Sequence, residues 1–204
     1  MEKKQVGIFS GSFNPIHVGH VMLGSYMCEF THLDEVWFVV SPHNPLKDAD
    51  ELLDETIRLE MTRLALENFE NLKVSDVEFN LPRPSYTIDT LRFLRNNHPN
   101  IVFTLIIGGD NWNEFHKWKS YQQLCEEFSI LIYPRLGEEV LVPEQYQQTI
   151  QVVNAPILEI SSTFIRNSIK AGKDMRAFVP ERVWGFINAN TFKRRLLSLT
   201  NKKW

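Results

Sequence analysis

Apolar residues fall along this chain in two patterns. Short solid runs read as strands: residues 5–9 (QVGIF), 35–40 (EVWFVV), 101–107 (IVFTLII) and 128–133 (FSILIY), with weaker candidates at 72–77 and 150–153. Ser10-Gly11 ends the first run, Ser41-Pro42 the second and Gly108-Gly109-Asp110 the strongest. Between the runs, apolar positions recur every three or four residues, which is the period of a helix. Val18, Val21, Met22 and Tyr26 mark a helical segment over 15–30, and Ile57, Met61, Leu64 and Ala65 mark another over 54–68. Ser85 or Thr87 caps a helix that runs through Arg95 and is closed by Asn97-His98-Pro99, and residues 111–126 read as helical. Ser161-Ser162-Thr163 caps a helix to about Ala171, stopped by Gly172, and Pro180 opens a last one from Glu181 to about Asn188. The proline-containing segment 42–51 reads as a loop.

Strands that are solidly apolar, rather than alternating, are buried on both faces. Alternation of such strands with helices predicts a doubly wound parallel α/β sheet with a helical C-terminus. At 204 residues, against a prior of roughly 150 per domain, a single domain over 1–204 is expected.

Charge narrows the function. The 22 basic and 25 acidic residues leave −3, which excludes a general nucleic-acid platform. The tail 192–204 carries basic residues and no acid, and reads as a solvated tail, with an anionic contact as the alternative. Cys28 and Cys125 are far apart and form no CxxC pair, so they read as reduced, packed thiols of a cytoplasmic protein. No signal peptide is visible, and no apolar run near the start approaches the roughly 18 residues of a membrane helix, so no membrane partner is expected.

Ligands of open α/β sheets bind beyond the carboxyl ends of the strands. The loop after the first strand is the richest: Gly11-Ser12-Phe13-Asn14-Pro15-Ile16-His17-Val18-Gly19-His20. Neither GxGxxG nor GxxxxGK[ST] occurs, so a dinucleotide fingerprint and P-loop chemistry are excluded. His17 and His20, three apart, would share a helix face at a helix N-terminus, where free N–H groups favour an anion, and Gly19 lets a ligand approach the backbone. A phosphate fits these features; zinc does not, for lack of a third ligand in reach, and no protein metal site is expected. Ser161, Ser162 and Thr163 supply hydroxyls at a second helix start, and Arg166 one turn later offers a bidentate fork.

The first loop resembles the GxFxPxHxGH loop of the nucleotidyltransferase superfamily, which also includes the HIGH-type aminoacyl-tRNA synthetases. Ile160-Ser161-Ser162-Thr163-Phe164-Ile165-Arg166 resembles the ISSTxIR of the adenylyltransferases. Synthetases are much longer and carry a tRNA-binding domain, for which this chain has no room. Pro84-Ser85-Tyr86-Thr87-Ile88-Asp89-Thr90-Leu91, and Gly108-Gly109-Asp110 followed by Trp118, resemble the PSYTxDTL and GxD…W segments of the bacterial nicotinate mononucleotide adenylyltransferases. The resemblance runs from Val6 to about Ile187. It implies a Rossmann-like nucleotidyltransferase fold and transfer of the adenylyl group of ATP to nicotinate mononucleotide, giving nicotinate adenine dinucleotide and pyrophosphate in NAD biosynthesis.

The resemblance further implies roles. His17, His20 and Arg166 are the expected catalytic residues. Gly11, Ser12, Phe13, Lys47, Gly108, Ser162 and Thr163 join them around ATP and its Mg²⁺. Tyr86, Thr87, Asp110 and Trp118 are expected to hold the mononucleotide, with Trp118 stacked on the pyridine and Asp110 on a ribose. Two places depart from the family pattern. Asn44-Pro45-Leu46-Lys47 stands where a PPHK-like sequence is common, so leucine replaces the usual histidine, and Ser12 and Asn14 replace the commoner threonine and aspartate. The alternatives are another acceptor (nicotinamide mononucleotide or pantetheine phosphate), a cytidylyltransferase, or a nucleotide-sensing module without catalysis. PSYTIDTL and Trp118 argue against pantetheine phosphate, and the lack of an RTxGxST-like segment argues against cytidylyl transfer. Homo-oligomerisation is left open.

Overall fold

The structure, a computed structural model, describes residues 3–42 and 52–189. Leu46 and Lys47 of the expected loop, and the basic tail, lie outside the described residues. Strands β1 (Lys4–Gly11), β2 (Glu35–Val40), β3 (Leu72–Ser75), β4 (Ile101–Gly108), β5 (Ser129–Tyr133) and β6 (Ile150–Val152) form one sheet in the order β3-β2-β1-β4-β5-β6. Every neighbouring pair is parallel. The chain works outward from β1 to β3, returns to β4 on the other side of β1, and works outward again. Progress therefore reverses between β1 and β4, and the loops leaving their carboxyl ends part to open a crevice.

Among the described residues the helices are α1 (Val18–Phe30), α2 (Glu55–Leu66), α3 (Thr87–Asn97), α4 (Gly109–Asn113), α5 (Tyr121–Glu127), α6 (Ser162–Lys170) and α7 (Glu181–Ala189). One core gathers Met27, Met61, Ile165 and Ile187 from α1, α2, α6 and α7 over Phe9, Phe38 and Leu131. The other gathers Leu91 of α3 and Leu124 of α5 over Val6, Leu105 and Ile130. With a core on each face, successive central positions such as residues 6–9 of β1, 38–40 of β2 and 103–107 of β4 are buried, which is why those runs do not alternate. A Cβ on Gly24 would stand 2.6 Å from the Phe38 ring, so this glycine lets α1 lie close on β2.

Three elements differ from expectation. The helix expected over 111–126 is broken into α4, a 3-10 turn at Phe115–Lys117 and α5, with Ser120 left-handed at φ 55°. Trp112, Phe115 and Trp118 pack ring on ring across that break, at 5.3 and 5.0 Å between centroids. Their spacing of three is the period of the tighter helix and looks like a helix face in sequence. β3 ends at Ser75, and a 3-10 turn at Val77–Asn80 follows and buries Glu78. α1 starts at Val18 instead of Pro15, leaving His17 as its cap.

No helix among the described residues is long and apolar enough to cross a membrane. Cys28 and Cys125 are free thiols, and burial pushes both up to about 11.

Candidate active site

β1 delivers Gly11 to the crevice, and the chain turns through Ser12 and Phe13, the latter at φ 45°. Asn14 anchors the loop from inside: its Oδ1 accepts from the Leu53 N–H at 3.3 Å. His17 then caps α1 in extended backbone, its carbonyl accepting from the N–H groups of His20 (3.0 Å) and Val21 (3.3 Å). His20 reaches back, Nδ1 accepting from the His17 N–H at 3.2 Å. The two rings stack with centroids 3.6 Å apart and planes 22° apart. The pair thus meets as expected, but from cap and third helical position rather than from two helical positions. Accepting at Nδ1 leaves the proton of a neutral His20 ring on Nε2. His17 is buried, with Nδ1 lacking a hydrogen-bond partner among the described residues. Burial, and next the charge of Arg135, hold its pKa down at about 4, so the imidazole is neutral at neutral pH.

The second motif straps this loop down. Ser161 caps α6, its Oγ accepting from the Phe164 N–H at 3.1 Å. Ser162 Oγ donates to the Pro15 carbonyl (2.9 Å), Arg166 Nη1 to the Asn14 carbonyl (2.9 Å), and Arg166 Nη2 to Thr163 Oγ1 (3.3 Å). Gly11, Ser12, Phe13, His17, His20, Ser162, Thr163 and Arg166 therefore line one lobe of about 470 Å³ that includes Arg135 and, among the described residues, no carboxylate. The residues expected around ATP meet there, except Gly108 in the next lobe and Lys47 outside the described residues.

A second lobe of about 420 Å³ holds the residues expected around the acceptor: Tyr86, Thr87, Asp110 and Trp118, with Gly108. Thr87 is the first residue of α3, and Tyr86 its extended cap. The Lys119 ammonium sits 4.3 Å from the centre of the Tyr86 ring and 2.9 Å from Asp89, tying the start of α3 to the Trp118 segment. Trp118 is half-buried, with its Nε1 lacking a partner among the described residues. A Cβ on Gly108 would crowd the Asp110 carboxylate and stand 3.0 Å from the Tyr133 ring, so both side chains pack close around this glycine. A third lobe, of about 370 Å³ and mostly apolar, runs from His17, Gly19 and His20 to Leu23, Tyr26, Pro156 and Ile160.

All three lobes meet at Phe9, Tyr133 and Arg135. The crevice has a basic middle with an apolar arm on one side and an aromatic, polar arm on the other. That shape suits a phosphate-linked pair of flat bases.

Sequence reasoning missed three charged residues. Arg135 leaves β5 with its guanidinium 5.1 Å from the Tyr133 ring and 3.7 Å from Asp110. Its signal was its place just beyond the carboxyl end of a strand. Arg58 and Glu78 carried no signal, because each reads in sequence as an exposed charge. Arg58 is fully buried, donating to the carbonyls of Ser12, Ser41 and Pro42 (each 2.7 Å) and of Leu53 (2.9 Å). Glu78 is buried at the wall of the second lobe. Among the described residues, no three His, Cys, Asp or Glu side chains gather to hold a metal ion.

A family model described as cytidylyltransferase-like matches residues 8–168. A protein of Flavobacterium johnsoniae is 47% identical over 195 residues, covering 94% of this chain and 100% of its own. One from Bacteroides fragilis is 50% identical over 184 residues, covering 90% and 91%. Both carry the name "Probable nicotinate-nucleotide adenylyltransferase". The fold is similar to that of the Plasmodium falciparum nicotinic acid mononucleotide adenylyltransferase complexed with NaAD, at a TM-score of 0.76 and 20% identity over 94% of this chain and 98% of that one.

Proposed function

This chain belongs to the cytidylyltransferase-like family and, within it, to the nicotinate-nucleotide adenylyltransferases, and from that premise we propose how its crevice works. The enzyme transfers the adenylyl group of ATP to nicotinate mononucleotide, giving nicotinate adenine dinucleotide and pyrophosphate, a step of NAD biosynthesis. A phosphate oxygen of the mononucleotide attacks the α-phosphorus, the bond from that phosphorus to the bridging oxygen of the β-phosphate breaks, and pyrophosphate leaves with the electron pair. The nucleophile is already an anion, so no general base is needed. The protein must hold three anionic groups in line and offset their repulsion.

The observation that carries this reading is the junction of the lobes, where the stacked His17–His20 pair, Arg166 and Arg135 surround the crevice's centre. In our reading neutral His17 and the Nε2–H of His20 donate to phosphate oxygens, His20 nearest the α-phosphate. Arg166 and the hydroxyl-rich start of α6 face the β- and γ-phosphates, and the apolar lobe takes the adenine. Thr87 and Trp118 hold the pyridine end, and Asp110 a ribose. Adenylyltransferases that use ATP generally work with a divalent cation. We assign Mg²⁺, entering as part of the ATP complex and held by its phosphates. The two free thiols support a place in the cytoplasm.

Pyrophosphate release with ATP and a panel of acceptors tests the reading. Turnover is expected with nicotinate mononucleotide, and preference for phosphopantetheine would overturn it. His20→Ala is expected to lose about 100-fold in kcat with its circular dichroism unchanged, as for loss of one transition-state donor; a near-normal rate would remove His20 from the mechanism.

A further inference from the structure

Glu78 sits in the 3-10 turn after β3, 4% exposed, and four hydroxyls from different parts of the chain converge on it. Thr90 Oγ1 of α3 donates at 3.0 Å, Ser85 Oγ ahead of α3 at 3.1 Å, and Ser10 Oγ at the end of β1 at 3.5 Å. Ser41, just past β2, is the fourth. Burial pushes the carboxyl above the usual carboxylate range, and the four hydroxyls pull against that. Ser10, Ser41 and Ser85 also line the second lobe, beside Thr87, Asp110 and Trp118.

A carboxylate only accepts, and a serine hydroxyl has one proton to give. Each serine that spends its proton on Glu78 turns lone pairs alone toward the lobe. We infer that Glu78 is a positioning residue that makes this wall of the mononucleotide site a pure acceptor surface, which takes the ribose hydroxyls of the substrate as donors. Such a wall welcomes sugar hydroxyls and repels phosphate and carboxylate. The anionic groups are left to the other walls of the lobe, where Lys117, Lys119 and Arg135 stand. The inference deepens the assignment of this lobe to the mononucleotide and rests on it.

The test compares the wild type, Glu78→Gln and Ser85→Ala with nicotinate mononucleotide and its 2′-deoxy and 3′-deoxy analogues at saturating ATP. A glutamine keeps the volume but donates from its amide, so at least one serine must accept there and turn its proton elsewhere. For wild type, KM for at least one deoxy analogue is expected to be about tenfold or more above the parent, from a buried acceptor left unpaired. Glu78→Gln is expected to raise KM for the parent about fivefold, leave kcat and KM for ATP within about twofold, and shrink the ribo-to-deoxy ratio toward one. Ser85→Ala, which leaves Glu78 in place, should move the same ratio the same way, and it decides the matter alone if Glu78→Gln fails to fold. Equal rises in KM for ribo and deoxy acceptors, or a wild type that ignores the sugar hydroxyls, would overturn the inference while the adenylyl-transfer reading stands. Failure of the wild type to use nicotinate mononucleotide at all would overturn both.

Discussion

His17 is kept neutral by its position, and that has a consequence for stability. Its folded pKa of about 4 lies below the ordinary histidine value of 6.5. The unfolded chain therefore binds a proton that the folded one refuses, and stability falls as pH drops from about 6.5 toward 4. A gap of this size is worth about 3 kcal/mol. Glu78, raised by burial, acts with the opposite sign: its contribution is present below its unfolded value and fades as pH rises. Comparing wild type with His17→Gln isolates the histidine. Urea midpoints at pH 7 and pH 4.5 should fall further for wild type than for the variant, and equal falls would exclude His17 as the source.

Arg58 shows what the elements depend on. The periodicity of α2 marks Ile57, Met61, Leu64 and Ala65 as the inner face, but Ile57 and Leu64 are only half-buried. The buried side includes Arg58, Met61, Thr62 and Ala65. Turned that way, the helix places the guanidinium inside, where it joins the loops after β1 and β2 to the entry of α2. Burial lowers its pKa to about 10, which still leaves it charged at neutral pH. Arg58→Met would strip four carbonyls of their donor, with an expected loss on the order of 3–5 kcal/mol in chemical denaturation. A loss below about 1 kcal/mol would mean that those carbonyls find other partners. The broken helix around Trp118 is the other lesson at this scale. Hydrophobic spacing located the segment, and ring packing with a left-handed Ser120 decided its path.

At the scale of the molecule, a formal charge of −3 coexists with a lobe lined by His17, His20, Arg135 and Arg166 and, among the described residues, by no carboxylate. Net charge describes the outer surface and says little about a crevice. The dinucleotide product spans all three lobes in our reading, so it should stabilise the fold through mass action. At 100 times its Kd it contributes about 2.7 kcal/mol. For a chain of this length that is a rise of roughly 5–10 °C in Tm. Thermal melts with and without nicotinate adenine dinucleotide check this, and an unchanged Tm would count against a single continuous site.

The amino-acid sequence by itself determined the order of strands and helices, because a strand buried on both faces is encoded by its own apolar run and the glycine or proline that stops it. It also determined the His17–His20 loop and the start of α6, whose imidazoles and hydroxyls lie within a few consecutive residues. The tertiary structure alone decided the rest. Arg166 meets the Asn14 carbonyl across 152 residues of chain, Glu78 meets Ser10 across 68, and Arg58 meets Ser12 across 46. Whether an ionisable side chain is buried, and which partners satisfy it there, depends on what the folded sheet brings beside it. Its neighbours in sequence carry no trace of that.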